Sequence, residues 1–467
     1  MSQQTAAPAK AYEFEENRRM VKRALPALLI VFTLGTLMTQ AFNLVFQTIG
    51  DSLGMSESAQ LISTLPGIVL GIVCMLYGTL CDYLSPKKLT LFGLVALIGG
   101  SVLGFLLASN FWAVLLARMI QTAGAQVTGS IFIVMAVKYL NDDEKAVYIG
   151  IYGAVYNAAN AIGVFAGGII TSIDWRFLLL IPALSLFLAP MLLKNTPDIS
   201  STGEKVDVFG ISLFAVFAGL IAIYFSFPAT WLIIAIIVLA AAFALYVWKG
   251  KNPFLSRSIV TNGAYMGSVI LILAFWFFAF ASIPIYSVLG DLYGVPLYQV
   301  SILLAVQSAV GAVVGCCSGL IVNTIGRNRT VILSATLMVL CFLLSSVFVH
   351  SGFLVLIGFG CLYVGGLTAI YTPVYDFASE ALPVEENGRG IGVCDLCMNT
   401  SQSIGMAVYS SLMASAALSA GGVFGAEEGM WAATSNMFLI MAIGSAAALV
   451  LYLVFSKTIM KRLLGGR

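Results

Sequence analysis

The sequence predicts an all-α protein whose helices cross a membrane, and three observations carry that prediction. The 467 residues are 60% hydrophobic and only 9% charged, with a mean hydropathy of +0.99, whereas a soluble domain carries roughly 25% charged residues. Apolar runs repeatedly reach about 20 residues, enough to cross a hydrocarbon core of roughly 30 Å. Finally, 21 of the 23 lysines and arginines fall in alternate gaps between those runs, the pattern left when basic loops are retained on the cytoplasmic side. The runs are too long and too uniformly apolar for barrel strands, which leaves helices as the spanning element.

Fourteen helices follow in order, near 25–49, 58–80, 88–108, 111–137, 146–171, 176–193, 207–225, 229–248, 263–288, 296–322, 330–349, 352–375, 389–417 and 431–456. Residues 1–24 are polar and charged and read as a cytoplasmic tail leading into an uncleaved first helix. They are too acidic for a signal-peptide n-region, with no small-residue cleavage site after the first run. Five bases lie in that tail. Lys87 and Lys88 follow helix 2, Lys138 and Lys145 helix 4, and Lys194 and Lys205 helix 6. Lys249, Lys251 and Arg257 follow helix 8, Arg327 and Arg329 helix 10, Arg389 helix 12, and four bases close the chain in the tail 457–467. The opposite turns carry acids, among them Asp51, Glu57, Asp174, Asp291, Glu427 and Glu428. Both termini are therefore expected to be cytoplasmic.

The chain repeats itself. Gly78-Thr-Leu-Cys-Asp82-Tyr-Leu-Ser85-Pro-Lys87-Lys88 is echoed by Gly319-Leu-Ile-Val-Asn323-Thr-Ile-Gly326-Arg327-Asn-Arg329, an offset of 241 (323 minus 82). Glu144 in the 4–5 turn and Glu386 in the 12–13 turn give 242 (386 minus 144). Transporters are often built from duplicated halves. The expected organisation is a six-helix half over 25–193, two additional helices (7 and 8) within 194–262, and a second six-helix half over 263–456.

These motifs resemble those of the major facilitator superfamily, and more narrowly its fourteen-helix drug and tetracycline transporter branch. The Gly78–Lys88 stretch is similar to the superfamily's loop 2–3 motif, and Leu116-Ala-Arg118-Met-Ile-Gln121-Thr-Ala-Gly124 to its helix 4 motif. Gly150 through Gly168 resembles the helix 5 motif of exporters, Asp174-Trp175-Arg176-Phe177 the branch's 5–6 turn, and Asn252-Pro253-Phe254 its segment after helix 8. The resemblance implies a secondary transporter in a bacterial cell membrane. It departs in three places: Val164 follows Gly163 where exporters have proline, and Gln40 and Gln402 stand where relatives carry acids. The branch also includes a proton-linked bile-acid uptake carrier.

Polar residues inside predicted helices mark the candidate path, because in lipid they are costly and turn inward. Gln40, Asn43 and Gln47 fall on one face of helix 1. Asn157 and Asn160 lie on helix 5, Asn399 and Gln402 on helix 13, Gln121 and Gln126 on helix 4, and Gln307 on helix 10. Arg118 is the one base deep in a span, a candidate for anion binding or proton coupling. Asp395, the deepest acid, is a second coupling candidate, since burial favours its protonated form. Gly78, Asp82, Lys87 and Lys88, with Asn323 and Arg327 in the second copy, read as a cytoplasmic gate. Helix 9 crowds the aromatics Phe275, Trp276, Phe277, Phe278 and Phe280, read as packing.

The function expected from these readings is alternating-access transport of a small amphipathic organic solute. The charge of the path favours a neutral or anionic compound, such as a bile-acid-like acid, and Val164 in place of the exporter proline favours its proton-linked uptake. Proton-coupled drug or tetracycline efflux is the alternative, and a non-transporting sensor of the same fold a distant third. No Walker-type loop offers an ATP site, and no nucleophile–base pair suggests an enzyme. Cys394-x-x-Cys397 within a helix and the single His350 at a turn provide too few ligands for a metal. No cofactor beyond the proton, no nucleic acid and a monomer in the bilayer are expected.

Overall fold

The computed structural model describes residues 6–80, 84–198, 207–250, 253–255 and 257–464, and among them no strand forms. The long elements are α1 (Ala6–Ser52), α2 (Leu61–Leu80), α3 (Pro86–Leu106), α4 (Phe111–Tyr139) and α5 (Asp142–Thr171). Next come α6 (Arg176–Asn195), α7 (Val208–Ser226), α8 (Thr230–Lys249) and α9 (Gly263–Leu292). The chain closes with α10 (Leu297–Ile325), α11 (Arg327–Val347), α12 (Phe353–Glu380), α13 (Val384–Met413) and α14 (Met430–Leu464).

Thirteen helices among the described residues are long and apolar enough to cross a membrane. The expected helix 13 is absent from that set although α13 is 30 residues long. Its middle carries Asp395, Asn399, Thr400, Ser401, Gln402 and Ser403, so its mean hydropathy is low. Burial by neighbours replaces lipid contact here: those residues from Asn399 to Ser403 are all buried.

Three elements depart from the sequence expectation. α1 starts at Ala6 rather than near residue 25, so most of the expected tail is helix. Arg18 and Lys22 bond Glu144 on α5, at 3.0 and 2.6 Å, which fixes this basic extension. α6 tightens to a 3-10 helix over Ile181–Leu188, where Pro182 and Pro190 interrupt α-helical bonding. α9 stops at Phe275 and resumes at Pro284 after a short 3-10 turn.

The neighbour relations repeat when helix numbers rise by eight. α3 lies on α4 as α11 lies on α12; α2 on α4 as α10 on α12; α1 on α4 as α9 on α12. Two further contacts join the first six helices to the last six, α2 with α13 and α5 with α10, and these are the same relation with the partners exchanged. Glycines allow the close approaches. A Cβ on Gly163 of α5 would sit 2.9 Å from Leu37 Cα on α1. Gly163→Val is therefore expected to destabilise the protein by about 1–3 kcal/mol, the usual cost of overpacking, read by thermal unfolding in detergent. α7 lies across α2 and α13 together and joins neither six-helix set exclusively.

Glu144 provides a pH-dependent tie at the base-bearing end. Hydrogen bonds from Lys22 and then Arg18 hold its carboxyl down to about 2, from an ordinary 4.5. A depressed acid stabilises the fold above its unfolded pKa and loses that contribution as pH falls through the folded value. The stability difference between wild type and Glu144→Gln should thus be full above pH 5 and shrink between 4.5 and about 2. Melting temperatures across that range test it.

Candidate functional site

The polar stripe of α1 meets α5 at the centre of the molecule. Gln40 Nε2 donates to Asn160 Oδ1 at 3.1 Å, and Asn43 Nδ2 to Gln40 Oε1 at 3.4 Å. Gln40, Thr36, Thr39, Gln126, Tyr156 and Asn399, with Phe280 from the break in α9, surround a cavity of about 30 Å³. That is room for a single water, so in this state the central space is too small for an organic solute. Asn157 donates to its own Gly153 carbonyl at 2.9 Å, and Asn399 to that of Asp395 at 2.8 Å. Gln402 is buried one turn beyond Asn399. The offset of 242 pairs Asn157 with Asn399 and Asn160 with Gln402 (399 minus 157, 402 minus 160), so the duplicated helices carry amides at matching positions.

The remaining candidates are not brought to this centre. Gln47 is exposed at the outer end of α1 and donates to Asp51 at 2.9 Å. Gln307 is buried and turned toward α12, donating to the Ile357 carbonyl at 3.2 Å. Gln121 reaches Ser101 Oγ at 2.8 Å and the Leu179 carbonyl at 3.1 Å, toward α3 and α6.

Arg118 is 2% exposed. Its guanidinium lies 4.0 Å over the Phe42 ring, and it donates to Gln121 Oε1. Its buried Nε has no hydrogen-bond partner. No ion pair joins it to a carboxylate among the described residues. A buried guanidinium thus rests on an aromatic face and one amide, an arrangement worth about 2 kcal/mol or more when desolvated.

Asp395 sits 11 residues beyond Val384 (395 minus 384), roughly 16 Å along α13 at 1.5 Å per residue. Tyr375 Oη on α12 donates to its Oδ1 at 2.8 Å and to Met398 Sδ at 3.5 Å. Tyr371 stacks on Tyr375 with ring centroids 4.2 Å apart, and Trp276, at the break in α9, meets Tyr371 edge-on at 6.0 Å. The first six helices answer with Phe32 stacked on Tyr152 at 4.7 Å and on Tyr156 at 6.1 Å. Sequence reasoning missed these four tyrosines. The signal was their spacing: Tyr152/Tyr156 and Tyr371/Tyr375 each stand four apart, one above the other on a helix face.

At the base-bearing end, Ser85 caps α3, accepting from Lys88 N at 3.3 Å, and Lys87 N reaches the Pro197 carbonyl at 3.3 Å. Gly78 is in the last turn of α2, and Asp82 lies outside the described residues. In the second copy Asn323 is exposed, while Arg327 bonds Glu380 at 2.7 Å and lies 3.7 Å from Asp376. Both partners are on α12, so this ion pair ties α11 to α12. Metal-binding groups of three or more ligands are absent among the described residues.

Apolar spanning helices, a crossed contact between two sets of six and a small amide-lined space at their junction define a multi-pass membrane protein of duplicated architecture. The profile of the major facilitator superfamily matches residues 28–207 and 206–408, and the chain belongs to that family. It is similar to the puromycin resistance protein pur8 of Streptomyces alboniger, 28% identical over 268 residues, covering 53% of this chain and 51% of that one. The methylenomycin A resistance protein of Bacillus subtilis (strain 168) is 27% identical over 260 residues, covering 51% and 55%. In both cases the chain spans about half the length of the relative. A crystal structure of a POT family transporter in complex with a thioalcohol-conjugated peptide shares the fold, with a TM-score of 0.67 at 15% identity, covering 94% of this chain and 96% of that one.

Proposed function

We propose that the protein is a secondary transporter that moves a small amphipathic organic solute by alternating access, coupled to protons through Asp395. The observation that carries this reading is the junction itself. Amides from α1, α4 and α13 and Tyr156 of α5 line the central space, and Asp395, four residues before Asn399 on α13, accepts from Tyr375 of α12. Such a space hydrogen-bonds a polar head and stacks on an apolar body. Its 30 Å³ supports a cycle in which the two six-helix sets part to admit solute and close behind it. The net field favours neutral or anionic solutes, because Arg118 is buried beyond ion-pair reach of the described carboxylates, and amides replace acids at Gln40 and Gln402. The resistance roles in the names of the relatives support export, with one proton entering as solute leaves.

A second reading, proton-linked uptake, is favoured by the replacement of the exporter proline. Val164 follows Gly163 and is buried among apolar neighbours. One experiment separates the two. Proteoliposomes are given labelled cholate (an amphipathic anion) and labelled puromycin, with the lumen either acidic or alkaline. Antiport accumulates solute in acidic vesicles and symport in alkaline ones. Accumulation of neither compound under either gradient would remove the coupled reading for this solute class.

A further inference from the structure

The two contacts between the six-helix sets occupy equivalent positions, yet they differ at the base-bearing end. In the α2–α13 seam, contact continues inward from Gly67, beside Ser403, through Gly71, beside Asn399, to Gly392, whose Cβ would lie 3.4 Å from Met75 Cα. In the α5–α10 seam, Gly168 meets Ser301 at the outer end, and Asn157 approaches Gly315 midway, 3.8 Å from a Cβ built there. A Cβ on Gly153 or on Gly319, one turn further in on each helix, meets nothing within 4 Å among the described residues, and neither does one on Gly150. Gly150 is the duplicated counterpart of Gly392 (392 minus 150 is 242). The same position is therefore closed in one seam and bare in the other.

The additional helices account for the difference. α7 covers the α2–α13 seam, burying Ala218 and Ala222 against Ile68. Phe254 is wedged among Met75, Val393 and Leu396 at its inner end. Asp207 holds the wedge, accepting from Phe254 N at 2.9 Å, Gly210 N at 2.9 Å and Tyr246 Oη at 2.5 Å. Among the described residues no helix packs against both α5 and α10 as α7 does against α2 and α13.

We propose that the inner half of the α5–α10 seam is a lateral portal, through which solute passes between the central space and the membrane leaflet on the base-bearing side, while α7 and Phe254 keep the other seam shut. The cargo this admits is a membrane-dissolved amphipath. The proposal rests on the amphipathic-solute reading above and adds its route. A small-residue lining (Gly150, Gly153, Gly319) leaves the portal wide, and Asn157 stands at its apex to take a polar head.

The test uses the full chain with its native cysteines replaced, carrying Gly153→Cys, Gly319→Cys or Gly392→Cys labelled with a small fluorophore in vesicles. Nitroxide-bearing phospholipids should quench the first two at least fivefold more than the third. Quenching at 153 and 319 by aqueous iodide alone would mean a purely axial opening and overturn the portal, as would equal lipid quenching at 392. The paired Gly153→Trp and Gly319→Trp substitutions, placed in bare space so that the fold persists by size-exclusion chromatography, should slow labelled cholate exchange at least tenfold. Unchanged exchange would overturn the route even with the quenching pattern intact. If the unsubstituted protein moves no cholate, the solute reading fails separately and the quenching result stands by itself.

Discussion

Asp395→Asn should reduce gradient-driven accumulation of solute to the level inside equals outside, while exchange of labelled for unlabelled solute continues. The amide has nearly the same shape and can still accept from Tyr375, which donates at 2.8 Å. It cannot take up a proton. For one proton per solute, each pH unit of gradient supplies about 1.4 kcal/mol, or a tenfold accumulation. That whole ratio is what the substitution removes. Tyr375→Phe, which leaves the Asp395 carboxyl in place and removes only the donor at 2.8 Å, should keep gradient-driven accumulation. Accumulation persisting in Asp395→Asn would place coupling elsewhere in the molecule.

Arg118→Gln should separate solutes by charge. The guanidinium is fully enclosed, so its field is poorly screened. A solute carboxylate roughly 8 Å away would gain about 2 kcal/mol at an effective dielectric near 20, about thirtyfold in binding. Transport of an anionic solute is expected to fall by that factor, and a neutral amide of the same compound to change by less than about twofold. Folding should survive. The substitution loses the Phe42 contact, worth about 2 kcal/mol, but relieves an intramembrane charge costing on the order of 2.5–3.5 kcal/mol by insertion scales. Equal losses for both solutes would make Arg118 a packing element of the first six helices.

The helical class and the approximate spans were legible because they depend on run length and on the side taken by bases, which are properties of contiguous sequence. The clustering of Gln40, Asn160 and Asn399 was legible for a related reason: amides inside apolar helices have few places to go. What could not be read was the facing of isolated polar residues. Gln121 and Gln307 are as apolar in context as Gln126, but they satisfy their amides on α6 and α12 backbone rather than at the centre. Gln47 lies on the expected face yet too near the helix end, where Asp51 and water take it. The broken course of α6 and α9 depended on prolines and on tertiary contacts such as the Phe277 carbonyl against Gly405, which hydropathy averages away.

The polarity of α13 has a consequence for how the protein is made. A segment bearing Asp395, Asn399, Gln402 and the hydroxyl side chains of Thr400, Ser401 and Ser403 gains little from leaving the translocon alone, since each such group is costly in hydrocarbon. Its burial is supplied chiefly by α2, synthesised some 300 residues earlier, with α7 and α9 beside it. Membrane integration of α13 is thus a late event conditional on helices already in place. Chains lacking α2 should leave this segment accessible to glycosylation or protease, while their other apolar helices insert normally.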